Sequence, residues 1–381
     1  MHDFIMPIGP QSPAIKEPIL IKLQLNGETV NKATMVTGYT HRGIEYILEG
    51  KNPDQALYAA CRVCGICSMS HERGYVRTVE NILGYEAPER VKALRTIMFE
   101  LERMQSHLLW AGFMMHEIGL ETLFNYYWRE REKILDAFEK TTGGRVHHNL
   151  NKIRTLRYDL EDPEYVKEKV SSAAKASNEY YKDMINEEAV KSRLQNIGVI
   201  PADMAVKWAL NGPIARASGI NIDTRKDDPY DWYPKTGFKI ITGKTGDSMD
   251  RLKVRLEEIQ ESARVITKTI NNLPEEEIPK FSLNQVNGEG YARVEAPRGE
   301  LFYYLRFKNS KVERAKIRTP SFSYMKILEE LLPGVKIGDV PVIIASLDPC
   351  FSCLERVLVE KKGSISEMDE DQFRRQYTCT R

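Results

Sequence analysis

Arg62-Val63-Cys64-Gly65-Ile66-Cys67-Ser68-Met69-Ser70-His71 near the front of the chain is answered near its end by Ser346-Leu347-Asp348-Pro349-Cys350-Phe351-Ser352-Cys353-Leu354-Glu355-Arg356. Each stretch carries a Cys-x-x-Cys pair, and 282 residues lie between the pairs. Two thiolates spaced by two residues can grip one metal from a single turn of backbone. Two such pairs offer four sulfurs, a donor set suited to a soft or borderline metal such as Zn, Ni or Fe. A zinc ribbon keeps its pairs within roughly 15–20 residues of each other. Here nearly the whole chain intervenes, so only the complete fold closes the site. Six cysteines in 381 residues, with no secretory leader pattern, argue against a disulfide framework. Spacing alone leaves a structural and a reactive metal equally open.

Composition narrows the setting. A hydrophobic content of 42% is enough for a substantial core, and a net charge of +1 gives no sign of nucleic-acid binding. No run of 18 or more apolar residues is present to span a bilayer. A membrane role would therefore have to come through partner subunits. There is no internal repeat, and Glu275-Glu276-Glu277 between two prolines reads as a solvated loop.

Periodicity predicts an α+β fold, mainly helical, with a central bundle of long helices and small sheets at its margin. The partial alternation from Ile19 to Leu25 runs into Asn26-Gly27, a two-residue hairpin signal, with a second strand over Val30 to Tyr39. Val91, Leu94, Ile97, Met98, Leu101, Met104 and Leu108 recur every three or four residues, predicting a helix from Pro88 to Ile118. Further helices are expected at about 119–140, 163–193 and 250–272. Leu301 to Leu305 and Val340 to Ala345 read as buried strands. No boundary divides residues 1–356, and residues 357–381 form a tail.

The flanks of the cysteines decide between metals. Arg62-x-Cys64-x-x-Cys67 with His71 four residues on, and Asp348-Pro349-Cys350-x-x-Cys353 near the end, resemble the large subunit of NiFe hydrogenases. The resemblance covers nearly the whole chain. It is strongest to the membrane-bound, energy-converting branch related to the 49-kDa subunit of respiratory complex I. Gly9-Pro10-Gln11-Ser12-Pro13, His41-Arg42-Gly43-Ile44-Glu45, Arg103 to His107, Gly212 to Gly219 and Glu295-Ala296-Pro297-Arg298-Gly299 also carry it. The resemblance implies a NiFe centre whose Fe also holds CO and CN. Cys64 and Cys350 would be terminal ligands of Ni, and Cys67 and Cys353 would bridge the metals. It implies reversible formation of H2 from protons and electrons, with ferredoxin as electron partner. A small Fe–S subunit would dock near Cys64 to His71, and integral membrane subunits would hold the chain at the cytoplasmic face and couple the reaction to ion translocation. The 49-kDa relatives have lost the four cysteines. A redox subunit acting on a sulfur compound or quinone, and a structural zinc subunit, are the alternatives.

Several single residues gain meaning from the same register. Arg298 would project over the open metal position, and its high pKa makes it an assisting group. Pro297 and Ser346 would line the pocket of the diatomic ligands, with Ser346 donating to a cyanide nitrogen. Glu17 would pass protons between a terminal cysteine and water. His71 would hydrogen-bond a bridging sulfur. Glu45 matches an acid that binds Mg in relatives together with a His, but Arg356 stands at that His and cannot ligate a cation. A Glu45–Arg356 ion pair is expected instead of Mg. Ser12 replaces a His of quinone-reducing relatives. Cys61 extends the first pair to an iron–sulfur-like run, which the distant second pair argues against. Hydrogenases commonly lose a C-terminal peptide just after this point, so cleavage after Arg356 is predicted.

Overall fold

The computed structural model describes residues 4–12, 15–281, 283, 285–354, 356–361 and 364–377. It opens with an antiparallel sheet of β1 (Phe4–Ile8), β2 (Leu20–Asn26) and β3 (Thr29–Val36), in that order. The β2–β3 turn is Gly27-Glu28, one residue later than the dipeptide suggested, because Asn26 pairs with Thr29 and Gly27 takes the left-handed conformation at φ 60°. β1 is an edge strand with no periodic signal of its own.

Long helices form the centre: α1 (Ser68–Leu83), α2 (Glu89–Glu117), α3 (Glu121–Thr142), α4 (Pro163–Met184) and α5 (Ser248–Asn271). Helices α2, α3, α4 and α5 pack in a closed ring of neighbours. Their starts follow local chemistry. Asp162 and Asp247 accept the backbone N–H of Tyr165 and Asp250, and Pro163 occupies the first turn of α4. The expected helix over 163–193 is broken after Met184 and resumes as Glu188–Leu194. Every residue of α2 from Ala93 to Gly112 is buried. This helix is the axis of the fold, and its polar face is buried as fully as its apolar one.

A second sheet, β4 (Gly288–Ala296), β5 (Gly299–Lys308) and β6 (Lys311–Arg318), packs against α1. Gly74 of α1 permits the approach: a Cβ there would stand 2.8 Å from the Tyr303 ring. Ala296 pairs with Gly299, so Pro297-Arg298 is the whole β4–β5 turn. The stretch Val340–Ala345 is not a strand. It lies in a helix, α6 (Val340–Leu347), which packs on α2 and α5. An unbroken apolar run has no period to read, and burial on several sides suits either element. The last described residues form a hairpin, β7 (Arg356–Lys361) with β8 (Ser364–Asp369), followed by α7 (Glu370–Tyr377).

Two hydrophobic cores result. One joins the helical ring to the β4–β6 sheet; the other joins β2 and β3 to α6 and the helix Ser321–Leu331. A third, small cluster of Ile44, Val63 and the four cysteines lies apart from both.

Buried charges reinforce the larger core. Arg216, fully buried, donates to Glu258 at 2.9 Å and Glu295 at 2.8 Å, and lies 3.2 Å from Asp223. Removing one partner of such a set leaves uncompensated charge in a medium of low polarity, at a cost of about 3–5 kcal/mol. Arg216→Met should lower the thermal midpoint sharply; an unchanged midpoint would show that the network adds no net stability.

Candidate metal centre

The first cysteine pair lies in the turn leading into α1, with Cys67 as its N-cap. The backbone N–H groups of Ile66 and Cys67 donate to Cys64 Sγ at 3.4 and 3.3 Å, so the turn wraps that sulfur. The second pair follows α6. Asp348 ends that helix in the left-handed conformation at φ 54°, and Cys350 N–H donates to Ser321 Oγ at 2.8 Å.

Arg42 ties the two loops together. Its guanidinium donates to the carbonyls of Val63 at 2.6 Å and Ser352 at 2.7 Å, and to Arg62 O at 3.2 Å. Thr40 adds a hydrogen bond to Phe351 O at 2.7 Å. Cys64 Sγ comes within 3.8 Å of Cys350 Sγ, which lies 3.0 Å from Cys353 Sγ. The sulfurs of Cys64, Cys350 and Cys353 all fall within 4.8 Å of one another, the one such group of potential ligands found among the described residues. Cys67 Sγ stands outside that trio and accepts from Arg298 Nη1 at 3.3 Å.

The four thiols are buried and ionise unequally. Hydrogen bonds from Cys350, then from Cys353 and Cys67, pull Cys64 well below its ordinary value. Cys67 is pushed up by its bond to Cys64, and Cys350 by its bonds to Cys353 and then Cys64. Cys353 receives a lowering bond from Cys350, but the bond to Cys64 and burial keep it high. The protein alone thus pulls the Cys64 thiol down and pushes the other three up. A soft divalent metal would displace the remaining protons. Sulfur donors, burial and a nearby guanidinium fit a thiolate-held metal centre.

Arg298 is fastened from behind. Its Nη2 meets Asp348 Oδ1 at 2.8 Å and its Nε meets Asp348 O at 3.0 Å; Nη1 also lies 3.5 Å from Ser106 Oγ. Gly299 permits the turn that presents it: φ is 132°, and a Cβ would strike Asn211 Oδ1. Pro297 is buried in the same turn. Glu17, half-buried, accepts Ser352 N–H at 2.8 Å through Oε2, while Oε1 lies 3.5 Å from Cys350 Sγ.

The remaining residues singled out from the sequence make contacts of their own. His71 Nδ1 lies 2.7 Å from the Tyr303 hydroxyl, and burial lowers its pKa to about 4, so the ring is neutral. Ser346, in the last turn of α6, donates its hydroxyl to Ile343 O at 2.7 Å and accepts from Arg251 Nε at 3.0 Å. Glu45 pairs with Lys316 at 2.8 Å and Ile317 N–H at 2.9 Å. The Arg356 side chain, and with it the expected Glu45–Arg356 pair, lies outside the described residues, as does Cys379. His107 Nε2 meets Glu258 at 2.8 Å in the charge network of the core.

Sequence reasoning missed Arg42, Asp348 and Ser106 as parts of the site, although each sits inside a stretch quoted for the resemblance. Their signal is the motif; their partners are visible only in three dimensions.

A narrow cavity of about 80 Å³ opens onto the centre. Cys350, Arg298, Asp348 and Glu17 border it, as do Lys16 and Phe113, and its walls are mainly apolar.

Cys61 takes no part. Its thiol donates to Asn149 Oδ1 at 3.3 Å, and burial pushes its pKa up to about 12. Cys61→Ser should keep the metal content of the purified protein, whereas Cys64→Ser and Cys350→Ser should lose it. Metal analysis showing loss in all three would restore an iron–sulfur reading of the run.

Residues 117–286 and 278–356 match the family described as respiratory-chain NADH dehydrogenase, 49 Kd subunit, and residues 42–116 the family described as nickel-dependent hydrogenase. The chain is 34% identical over 384 residues to the membrane-bound hydrogenase subunit alpha of Pyrococcus furiosus, covering 94% of this chain and 88% of that one. It is 37% identical over 354 residues to a subunit of the NADH-quinone oxidoreductase of Desulforamulus reducens, covering 91% of this chain and 96% of that one. Among solved structures, it superimposes with a TM-score of 0.87 and 29% identity on a chain of the membrane-bound sulfane sulfur reductase, an archaeal respiratory membrane complex, covering 92% and 97%.

Proposed function

The chain belongs to the family of the respiratory-chain NADH dehydrogenase 49-kDa subunit and its hydrogenase relatives, and from that membership we propose that it is the catalytic large subunit of an energy-converting NiFe hydrogenase, performing 2H⁺ + 2e⁻ ⇌ H2. The observation that carries this reading is one buried cluster that holds all four cysteines, with the sulfurs of Cys64, Cys350 and Cys353 within 4.8 Å of one another and Cys67 beside them.

Cys64, Cys67, Cys350 and Cys353 would hold the Ni and Fe of such a centre, the Fe carrying CO and CN. When bound, such a centre supplies the redox chemistry that splits or forms H2. The chain's own residues manage charge and protons around it. Arg298 lays one guanidinium nitrogen on Cys67, where it would offset thiolate charge, and the Asp348 fork keeps it aimed. Glu17 stands ready to take a proton from Cys350 Sγ through Oε1, while its other oxygen is pinned by Ser352 N–H. A carboxylate fixed by one oxygen and set against a thiol with the other suits a relay.

The cavity favours a small substrate. At about 80 Å³ it is roughly half the size of the ~150 Å³ cavity that takes up benzene, which supports H2 over a quinone ring. Likeness to the sulfane sulfur reductase chain keeps reduction of a sulfur compound as the second reading. Among the described residues no helix is long and apolar enough to cross a membrane. Partner subunits would therefore supply the membrane anchor at the cytoplasmic face, and a small Fe–S subunit near Cys64 to His71 would carry electrons to and from ferredoxin. A purified complex lacking either partner would contradict this part of the reading.

Metal analysis should find one Ni per chain, infrared spectra should carry bands of metal-bound CO and CN, and the complex should turn over H2. Zinc alone would end the proposal. Nickel without H2 turnover, but with reduction of polysulfide, would favour the second reading. The nickel-loaded chain should end at Arg356, and peptides from residues 364–377 in it would contradict cleavage there. Glu17→Gln keeps the shape of the side chain but cannot carry a proton. It should retain Ni and lose H2 turnover by about 10²-fold or more; activity within a few-fold of the parent would remove Glu17 from the proton path.

A further inference from the structure

Among the described residues five arginines are essentially without exposure: Arg95, Arg103, Arg216, Arg251 and Arg255. A buried guanidinium is costly unless its donors are matched. Arg95 meets Glu80 at 2.8 Å, Arg103 meets Glu100 at 3.2 Å, and Arg216 meets three carboxylates. Arg251 donates to Gly246 O at 2.7 Å, Gly198 O at 2.8 Å and Ser346 Oγ at 3.0 Å. Arg255 differs. It makes one hydrogen bond, from Nη1 to Arg251 O at 3.2 Å, and its guanidinium lies 4.2 Å from the Trp110 ring centroid. Its Nε and Nη2 find no partner among the described residues.

A matching orphan stands on the other side. Asp348 gives Oδ1 and its carbonyl to Arg298, while its buried Oδ2 accepts no hydrogen bond among the described residues. Arg255 is on α5 and Asp348 follows α6, two helices in contact. Burial lowers the Arg255 pKa, and of the groups holding it up the Asp348 carboxylate is the strongest, ahead of Tyr324 and Glu258. The two charges are not in direct contact, yet each is the other's complement. Asp348 also keeps a left-handed backbone, which a non-glycine residue holds only when its surroundings require it.

We infer that Arg255 is a positioning residue for the metal centre: it stands behind Asp348 as a second fixed positive charge, and through that carboxylate it holds Arg298 on Cys67 and raises the positive field at the thiolates. The inference deepens the reading of the cluster as a NiFe centre and rests on it for its spectroscopic test. Trp110 completes the arrangement. Its indole N–H is fixed to Ala345 O at 2.8 Å, so the ring that shields Arg255 is also a wall of the cavity.

The test uses the intact purified complex carrying Arg255→Met, Arg255→Lys, Asp348→Asn and the Arg255→Met/Asp348→Asn pair. Removing a positive charge leaves more electron density on the metal for donation into its diatomic ligands. Every CO and CN band should therefore move to lower wavenumber in Arg255→Met, with Ni content unchanged, and return towards the parent position in Arg255→Lys. Thermal midpoints of the single and double variants should be non-additive, because the two charges act as a unit. Unchanged bands in Arg255→Met, or additive midpoints, would overturn the role of Arg255. Where Arg255→Met does not assemble, Arg255→Gln, neutral and of similar length, takes its place. A parent complex without CO and CN bands would overturn the reading of the centre itself; the midpoints then decide alone whether Arg255 and Asp348 are coupled.

Discussion

Four sulfurs cannot be gathered in a dry interior without help. Each sulfur that ionises is repelled by its neighbours, and each unionised thiol gains little from being there. Arg42 solves the geometric half of the problem by holding the carbonyls of Val63 and Ser352, one from each cysteine loop. Arg298 solves the electrostatic half by laying positive charge on Cys67. The rest of the architecture is arranged to keep these two guanidiniums in place.

Arg298 depends on a chain of supports that reaches into the core. It is half of a two-residue turn, and the strand before it is fixed by Arg103, whose guanidinium donates to Glu295 O at 2.6 Å and Ala296 O at 3.3 Å. Arg216 holds the Glu295 side chain, and Tyr324 donates to Arg298 O. This explains why a central helix buries Glu100, Glu102, Arg103 and His107 beside its apolar residues. Burying charge is a poor way to add stability but a good way to specify one arrangement, and a site that must hold a guanidinium against a sulfur within a few tenths of an ångström needs that specificity. Glu102 plays a similar part on the other side: its carboxylate accepts the N–H groups of Met69 and Ser70, anchoring the start of α1 just after Cys67.

The family relationship covers proteins named for hydrogen, quinone and sulfur chemistry. One scaffold can serve all three because the supports belong to the fold and the reacting groups to a few loop positions. In this chain those positions hold thiols, a guanidinium and the acids Glu17 and Asp348 beside a narrow cavity.

Much of this was legible in the sequence. The long helices announced themselves through three-and-four spacing, and the four cysteines through chemistry that depends only on residue type and local spacing. Glu17 and Arg298 could be named from motif register, and both lie beside the sulfurs. What the sequence could not reveal shares one physical cause: the partner lies far along the chain. Lys316 reaches Glu45; Tyr303 reaches His71; Asp348 reaches Arg298, and its carboxylate charge favours the charged form of Arg255. The run Val340–Ala345 is helical because packing against α2 and α5, not periodicity, decides the conformation of an apolar stretch without polar punctuation. The donor set is thus a property of the chain, whereas which charges face each other across the dry seam, and so how the centre is tuned, is a property of the closed fold alone.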